Sequence, residues 1–205
     1  MIACMVAVGA FSAHAGTILF DNTGATGGGA DPISAGEIYA SFSTGSNSGV
    51  LGSLELILVA SNPNDEGTIS VGLYADNSTT PGSEIVSLGT IADSSLSTTP
   101  GLFPVTLSSN PTLSSNTRYW IGLSTSGTGK WEWSSNLSGT GVSGEYFYNY
   151  NLETLSNSSQ GFAYQMQVVM DPSSVPEPST LLSGASGLIA LGISLAVARF
   201  HKRRT

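Results

Sequence analysis

Thr68-Ile69-Ser70-Val71-Gly72-Leu73-Tyr74-Ala75 is the stretch on which the fold turns. Side chains of an extended strand alternate between faces, so Ile69, Val71 and Leu73 point into a core while Thr68, Ser70, Gly72 and Tyr74 point away from it. The following Asp76-Asn77-Ser78-Thr79-Thr80-Pro81-Gly82 reads as a turn, because Asn tolerates the left-handed conformation and Pro-Gly suits a type II corner. Similar short alternating runs lie at 17–20, 37–44, 51–60, 84–91, 103–107, 118–125, 130–134, 146–150 and 162–170, separated by Gly, Pro, Asn and Ser. Before Leu181 no segment carries a 3.6-residue repeat. Nine or ten strands without crossover helices predict an all-β, antiparallel two-sheet sandwich of the jelly-roll sort over residues 16–172. That length suffices for a proper core without disulfides.

The reactive residues are few and unevenly placed. His14 and Cys4 fall in the apolar N-terminal segment and His201 in a basic tail, so residues 16–175 hold no His and no Cys. This excludes a Ser-His-Asp or Cys-His nucleophile pair, zinc held by His or Cys, and a disulfide framework. The same stretch has thirteen acids and only two bases, Arg118 and Lys130, a surface that repels a phosphate backbone; no nucleic-acid partner is expected. Charged residues make up 10% of the chain while Ser, Thr, Gly and Asn abound, as in extracellular β-domains.

Residues 1–15, MIACMVAVGAFSAHA, form an apolar run ending Ala13-His14-Ala15, the small-x-small pattern that signal peptidase accepts. Cleavage there makes Gly16 the first residue of the exported protein. The basic region that normally precedes such a run is missing, which predicts a true start upstream of Met1. A lipoprotein site at Cys4 is disfavoured, because an apolar run follows it where a polar spacer belongs.

At the other end, Val175-Pro176-Glu177-Pro178-Ser179-Thr180 precedes eighteen residues without a charge, 181–198, and then RFHKRRT. As a helix those eighteen residues span about 27 Å, just enough to cross a bilayer core. Arg199, Lys202, Arg203 and Arg204 keep the tail cytoplasmic and place everything before Leu181 outside. The two prolines hold the motif extended, as a processing enzyme takes a strand. Motif, apolar helix and Arg-rich terminus in this order resemble the PEP-CTERM sorting signal of Gram-negative bacteria over residues 173–205. The resemblance implies recognition by an exosortase, processing near Val175-Pro176-Glu177-Pro178, transient residence in the inner membrane after Sec export, and delivery to the cell surface or exopolysaccharide matrix.

A second resemblance covers the body. Leu73-Tyr74-Ala75-Asp76-Asn77 leading to Pro81-Gly82 and Glu84-Ile85 is similar to a recurrent segment of the choice-of-anchor domains. Asn22-Thr23, Ala40-Ser41-Phe42-Ser43-Thr44-Gly45, Tyr119-Trp120-Ile121-Gly122-Leu123 and Tyr164-Gln165-Met166-Gln167-Val168 fit the same pattern, nearest to type R. These motifs are structural and imply architecture without an activity.

Three chemistries remain to be weighed in the body. Trp131 and Trp133 share a face by alternation, as do Tyr146, Tyr148 and Tyr150, and flat aromatic surfaces stack on sugar rings. Core packing between two sheets explains the same stripes. Asn62-Pro63-Asn64-Asp65-Glu66-Gly67 is rich in oxygen, but an EF-hand begun at Asn62 puts Leu73 where the bidentate Glu belongs, so it reads as a turn. Asp21-Asn22 and Asp76-Asn77 read likewise, and a structural calcium stays open. Glu132 and Glu145 form the least implausible glycosidase pair, which needs two acids roughly 5 to 9 Å apart. Gly27-Gly28-Gly29 lacks the Lys of a phosphate loop and reads as a flexible turn. The sequence thus predicts a non-enzymatic exported sandwich without a cofactor, whose partners are signal peptidase, the Sec translocon and the membrane, and the sorting-signal resemblance implies an exosortase as well. Binding of exopolysaccharide is the alternative role, and glycoside hydrolysis a more distant one.

Overall fold

The computed structural model describes residues 16–33, 36–62, 64, 66–149, 154–157 and 163–172. The chain is all-β, with strands β1 (Thr17–Asp21), β2 (Gly27–Pro32), β3 (Ile38–Ser43), β4 (Gly49–Ala60), β5 (Thr68–Asn77), β6 (Thr80–Ala92), β7 (Gly101–Pro104), β8 (Thr112–Leu113), β9 (Arg118–Thr125), β10 (Gly129–Ser134), β11 (Tyr146–Asn149), β12 (Thr154–Asn157) and β13 (Met166–Pro172). A 3₁₀ turn, Asp93–Ser95, follows β6. Two antiparallel sheets form. A seven-stranded sheet runs β1-β13-β4-β10-β2, with β7 and β8 on the other edge of β4, and a six-stranded sheet runs β12-β11-β3-β9-β5-β6.

One core fills the space between the sheets, and alternation explains its membership. Ile69, Val71 and Leu73 of β5, Ile38, Ala40 and Phe42 of β3, and Ile121 and Leu123 of β9 face Leu54, Leu56 and Leu58 of β4 and Met166, Val168 and Met170 of β13. Leu51 and Leu54 are both buried although three residues apart. Ser53 pairs with Val169 and Leu51 with Met170, so Gly52 is the extra residue of a bulge that returns the alternation to phase.

Two expectations are corrected. Gly27-Gly28-Gly29 is no flexible turn: these residues begin β2 and pair with β10, Gly29 opposite Trp133 and Ala30 opposite Glu132. The reason is steric, since a Cβ on Gly28 would lie 1.9 Å from the Trp133 ring, and only bare backbone fits beneath the indole. The turn after β5 is also tighter than the sequence suggested. Pro81 and Gly82 belong to β6, and the chain reverses at Ser78, whose φ of +68° lets the Thr79 N–H reach the Asn77 carbonyl at 2.9 Å in a γ-turn. Strands β8 and β12 were not anticipated.

Among the described residues no helix is long and apolar enough to cross a membrane. The segment 181–198, the signal segment 1–15 with Ala13 and Ala15, the motif Val175 to Pro178, the basic residues Arg199, Lys202, Arg203 and Arg204, and Tyr150 all lie outside the described residues.

Candidate functional site

The aromatic residues singled out in the sequence separate in space. Trp131 is wholly buried, its ring stacked on Tyr164 at 4.8 Å and its Nε1 donating to the Gln165 carbonyl at 3.0 Å. It has no free ring face, so Trp131 does not join Trp133, Tyr146 and Tyr148 in one sugar-stacking surface, the platform their alternation allows. Trp133 is half-buried over Gly28 on the seven-stranded sheet. Tyr146 and Tyr148 lie on the other sheet, where Tyr148 meets Tyr39 and Tyr146 lies beneath Arg118.

That surface is the outer face of the six-stranded sheet. Because Ile38, Ala40 and Phe42 turn inward, Tyr39 and Ser41 turn out; by the same alternation Arg118, Trp120 and Gly122 of β9, Gly72, Tyr74 and Asp76 of β5, and Tyr146 and Tyr148 of β11 face outward. Register assembles them into two rows across the strands. One runs Tyr148, Tyr39, Gly122, Gly72, Ser87, and its neighbour runs Ser41, Trp120, Tyr74, Glu84. Outer faces of antiparallel sheets are normally polar; this one carries five aromatic rings, of which Trp120 and Tyr39 are buried by their neighbours and Tyr74, Tyr146 and Tyr148 are half-buried.

The two glycines make room for the rings. Tyr39 and Tyr74 meet edge to face with centroids 5.1 Å apart, and Tyr148 tilts toward Tyr39 at 6.3 Å. A Cβ on Gly122 would lie 2.5 Å from Tyr74 and 2.6 Å from Tyr39. The polar rim is organised as well. Tyr39 Oη donates to the Glu37 carboxylate. Trp120 Nε1 donates to Asp76 Oδ1 at 2.8 Å. Arg118 sits 4.8 Å above the Tyr146 ring, donates from Nε to Glu145 Oε2 at 3.2 Å, and lies 4.0 Å from Asp76. Ser41 Oγ donates to Glu145 and accepts the Tyr146 N–H, fixing that carboxylate at the strand edge.

Burial, reinforced by the charges of Glu37 and Glu84, pushes the Tyr74 phenol up to about 12. Burial and the Glu37 hydrogen bond push Tyr39 up further still. Both phenols are therefore neutral at ordinary pH, able to donate and accept. Ring faces beside hydroxyls and carboxylates suit a polyhydroxylated ligand.

The remaining sequence candidates are scattered. Glu132 lies on the outer face of the seven-stranded sheet, accepts the Gly29 N–H at 3.3 Å, and has its carboxyl raised by burial. Glu145 sits on the outer face of the opposite sheet, so the two carboxylates do not share a cleft. Asn62 Oδ1 accepts the Asn64 N–H at 3.1 Å, as in an Asx turn, while Pro63 and Asp65 lie outside the described residues. Asp21 Oδ1 accepts both donors of Thr23, again turn chemistry. Neighbouring Asn22 does more: buried, it donates to the Tyr164 carbonyl and accepts the Met166 N–H, clamping the start of β13. Asp76 is not a turn residue but the acceptor for Trp120. Among the described residues no three His, Cys, Asp or Glu side chains gather as a metal cluster.

The sequence also missed a polar triad at the core margin, where Asp31 Oδ2 accepts from Tyr164 Oη at 2.7 Å and from Asn149 Nδ2 at 3.0 Å. Its members are 133 and 118 positions apart in the chain, and only the pairing of β2 with β10 and of β11 with β3 reveals it. No known protein family, curated protein or solved structure matches this chain.

Proposed function

We propose that this is an exported, non-enzymatic β-sandwich protein of a Gram-negative cell surface or exopolysaccharide matrix, sorted by an exosortase. The observation that carries the reading is the order at the C-terminal end: Pro176-Glu177-Pro178, then eighteen uncharged residues, then Arg199 to Arg204. The body supports it, being acidic and free of His and Cys. Its topology supports the jelly-roll description. Taking β1, β3, β4, β5, β6, β7, β9 and β13 as eight successive strands, β1-β13-β4-β7 faces β3-β9-β5-β6, the neighbour order that wrapping two Greek keys produces. Deleting residues 176–178 and measuring intact mass from native cells tests the sorting: processing at the C-terminal end is lost in the deletion, and an unchanged mature mass overturns it.

A second reading rests on a separate observation, the aromatic face of the six-stranded sheet. There the protein holds a matrix polysaccharide, with Tyr74 and Tyr148 offering half-exposed rings and Glu84 and Glu37 taking sugar hydroxyls. The acidic surroundings favour a neutral or amino-bearing glycan over a uronate polymer. In affinity electrophoresis the wild type is retarded by such a polymer and Tyr148→Ala and Tyr74→Ala are retarded less. Equal mobility of all three ends this reading and leaves the sorting reading untouched.

A further inference from the structure

Three connections converge at Asp93, the first residue of the 3₁₀ turn after β6. Its backbone N–H donates to the Gly67 carbonyl at 2.9 Å, in the segment leading into β5, and its Oδ2 accepts the Thr128 N–H at 3.0 Å, in the segment leading into β10. The side chain is 1% exposed. Glycines let the backbone close around it: a Cβ on Gly67 would lie 2.8 Å from Oδ2 and one on Gly129 3.4 Å from Oδ1.

Two oxygens at this junction have no hydrogen-bond partner, Asp93 Oδ1 and Thr128 Oγ1. The residues that carry them are in direct contact, since the Thr128 N–H donates to the other oxygen of the Asp93 carboxylate. Counter-charge is missing as well. Among the described residues Arg118 is committed to Asp76 and Glu145, and no ion pair reaches Asp93. A carboxylate taken out of water with one N–H for company costs several kcal/mol, and an orphan hydroxyl adds to that cost.

A hard cation relieves both deficits together, because it supplies charge to the carboxylate and accepts a neutral hydroxyl oxygen as a ligand. We propose that Asp93 Oδ1 and Thr128 Oγ1 are two protein ligands of a calcium-type cation. A bridging water is the competing occupant, and it offers no charge. One carboxylate ligand makes for a weak site, in the range of extracellular modules, about 10⁻⁴ to 10⁻³ M.

The test is thermal unfolding of the full chain in mild detergent, in EDTA and then in CaCl₂. Calcium at about 10 mM raises the wild-type Tm by about 5 °C. Thr128→Val, which keeps the shape and removes the hydroxyl oxygen, and Asp93→Asn shrink or abolish the shift. Terbium bound to the wild type shows emission sensitised by tryptophan that calcium displaces, and Thr128→Val weakens it. If the wild-type Tm is the same in EDTA and calcium, the two oxygens share only a water and the proposal is overturned. If calcium shifts Thr128→Val and Asp93→Asn as much as the wild type, the ion binds elsewhere, which overturns it equally. Thr128→Val keeps the test decisive should Asp93→Asn fail to fold.

Discussion

Tyr39 and Tyr74 meet edge to face, 5.1 Å apart, above the bare backbone of Gly122 on the side of the sheet that faces away from the core. Two residues 35 positions apart in the sequence are thus joined through a third strand that contributes only an absence of side chain. Gly122→Ala pushes a methyl group into both rings and should destabilise the protein by about 1–3 kcal/mol in urea denaturation. In a Tyr74→Ala background the same substitution should cost markedly less, because one of the two clashing rings is gone. Additive losses would show that the ring pair does not rest on this glycine.

Alkaline stability follows from the same pair. An unfolded tyrosine loses its proton near pH 10, whereas folded Tyr74 keeps it to about 12 and Tyr39 beyond that. Between these values the unfolded state holds fewer protons than the folded one, so stability falls as pH rises. The contribution is complete below pH 10. Melting temperature should decline from about pH 10 upward, and Tyr74→Phe should flatten the decline without altering the melt at pH 7.

Trp131 is core, and its substitutions should read as such. Trp131→Ala leaves a void beside Tyr164 and should cost about 3–5 kcal/mol, while Trp131→Phe keeps part of the stack and gives up the bond to the Gln165 carbonyl. Half-buried Trp133→Ala should cost less than Trp131→Ala. Equilibrium denaturation of the three variants checks the order.

Glu132 carries a carboxyl raised by burial, only partly offset by the Gly29 N–H. As pH climbs above the ordinary carboxyl range, the unfolded chain ionises first and the folded state loses stability until Glu132 ionises too. Glu132→Gln keeps an acceptor for Gly29 and removes the charge. It should erase that decline, leaving the variant at least as stable as the wild type at pH 7.

Strand positions were legible wherever side chains alternate. Ile69, Val71 and Leu73 announced β5, and their inward set is the observed one. Strand β2 was hidden because Gly27-Gly28-Gly29-Ala30-Asp31-Pro32 has no alternation to read, and the force that holds it comes from a tryptophan more than a hundred positions away. The candidate face was half legible. Alternation places Tyr146 and Tyr148 on one face with Tyr150, yet their neighbours Tyr39, Trp120 and Tyr74 come from three other strands, and only cross-strand register places them together. Local pattern tells which way a residue points and says nothing about what stands opposite. Trp131 and Trp133 show the limit well: identical spacing, one ring sealed and the other half open.

β1 and β13 lie side by side, Thr17 opposite Met170, and a Cβ on Gly16 would touch Val169 and Asp171. The polypeptide therefore comes in and goes out through one corner of the sandwich. Bridging residues 16 and 172 with a short linker while opening the chain at Ser78-Thr79 should yield a permuted body with the same sheets. In mechanical terms, a pull applied at residue 172 falls first on β13, which β1 and β4 grip from both edges.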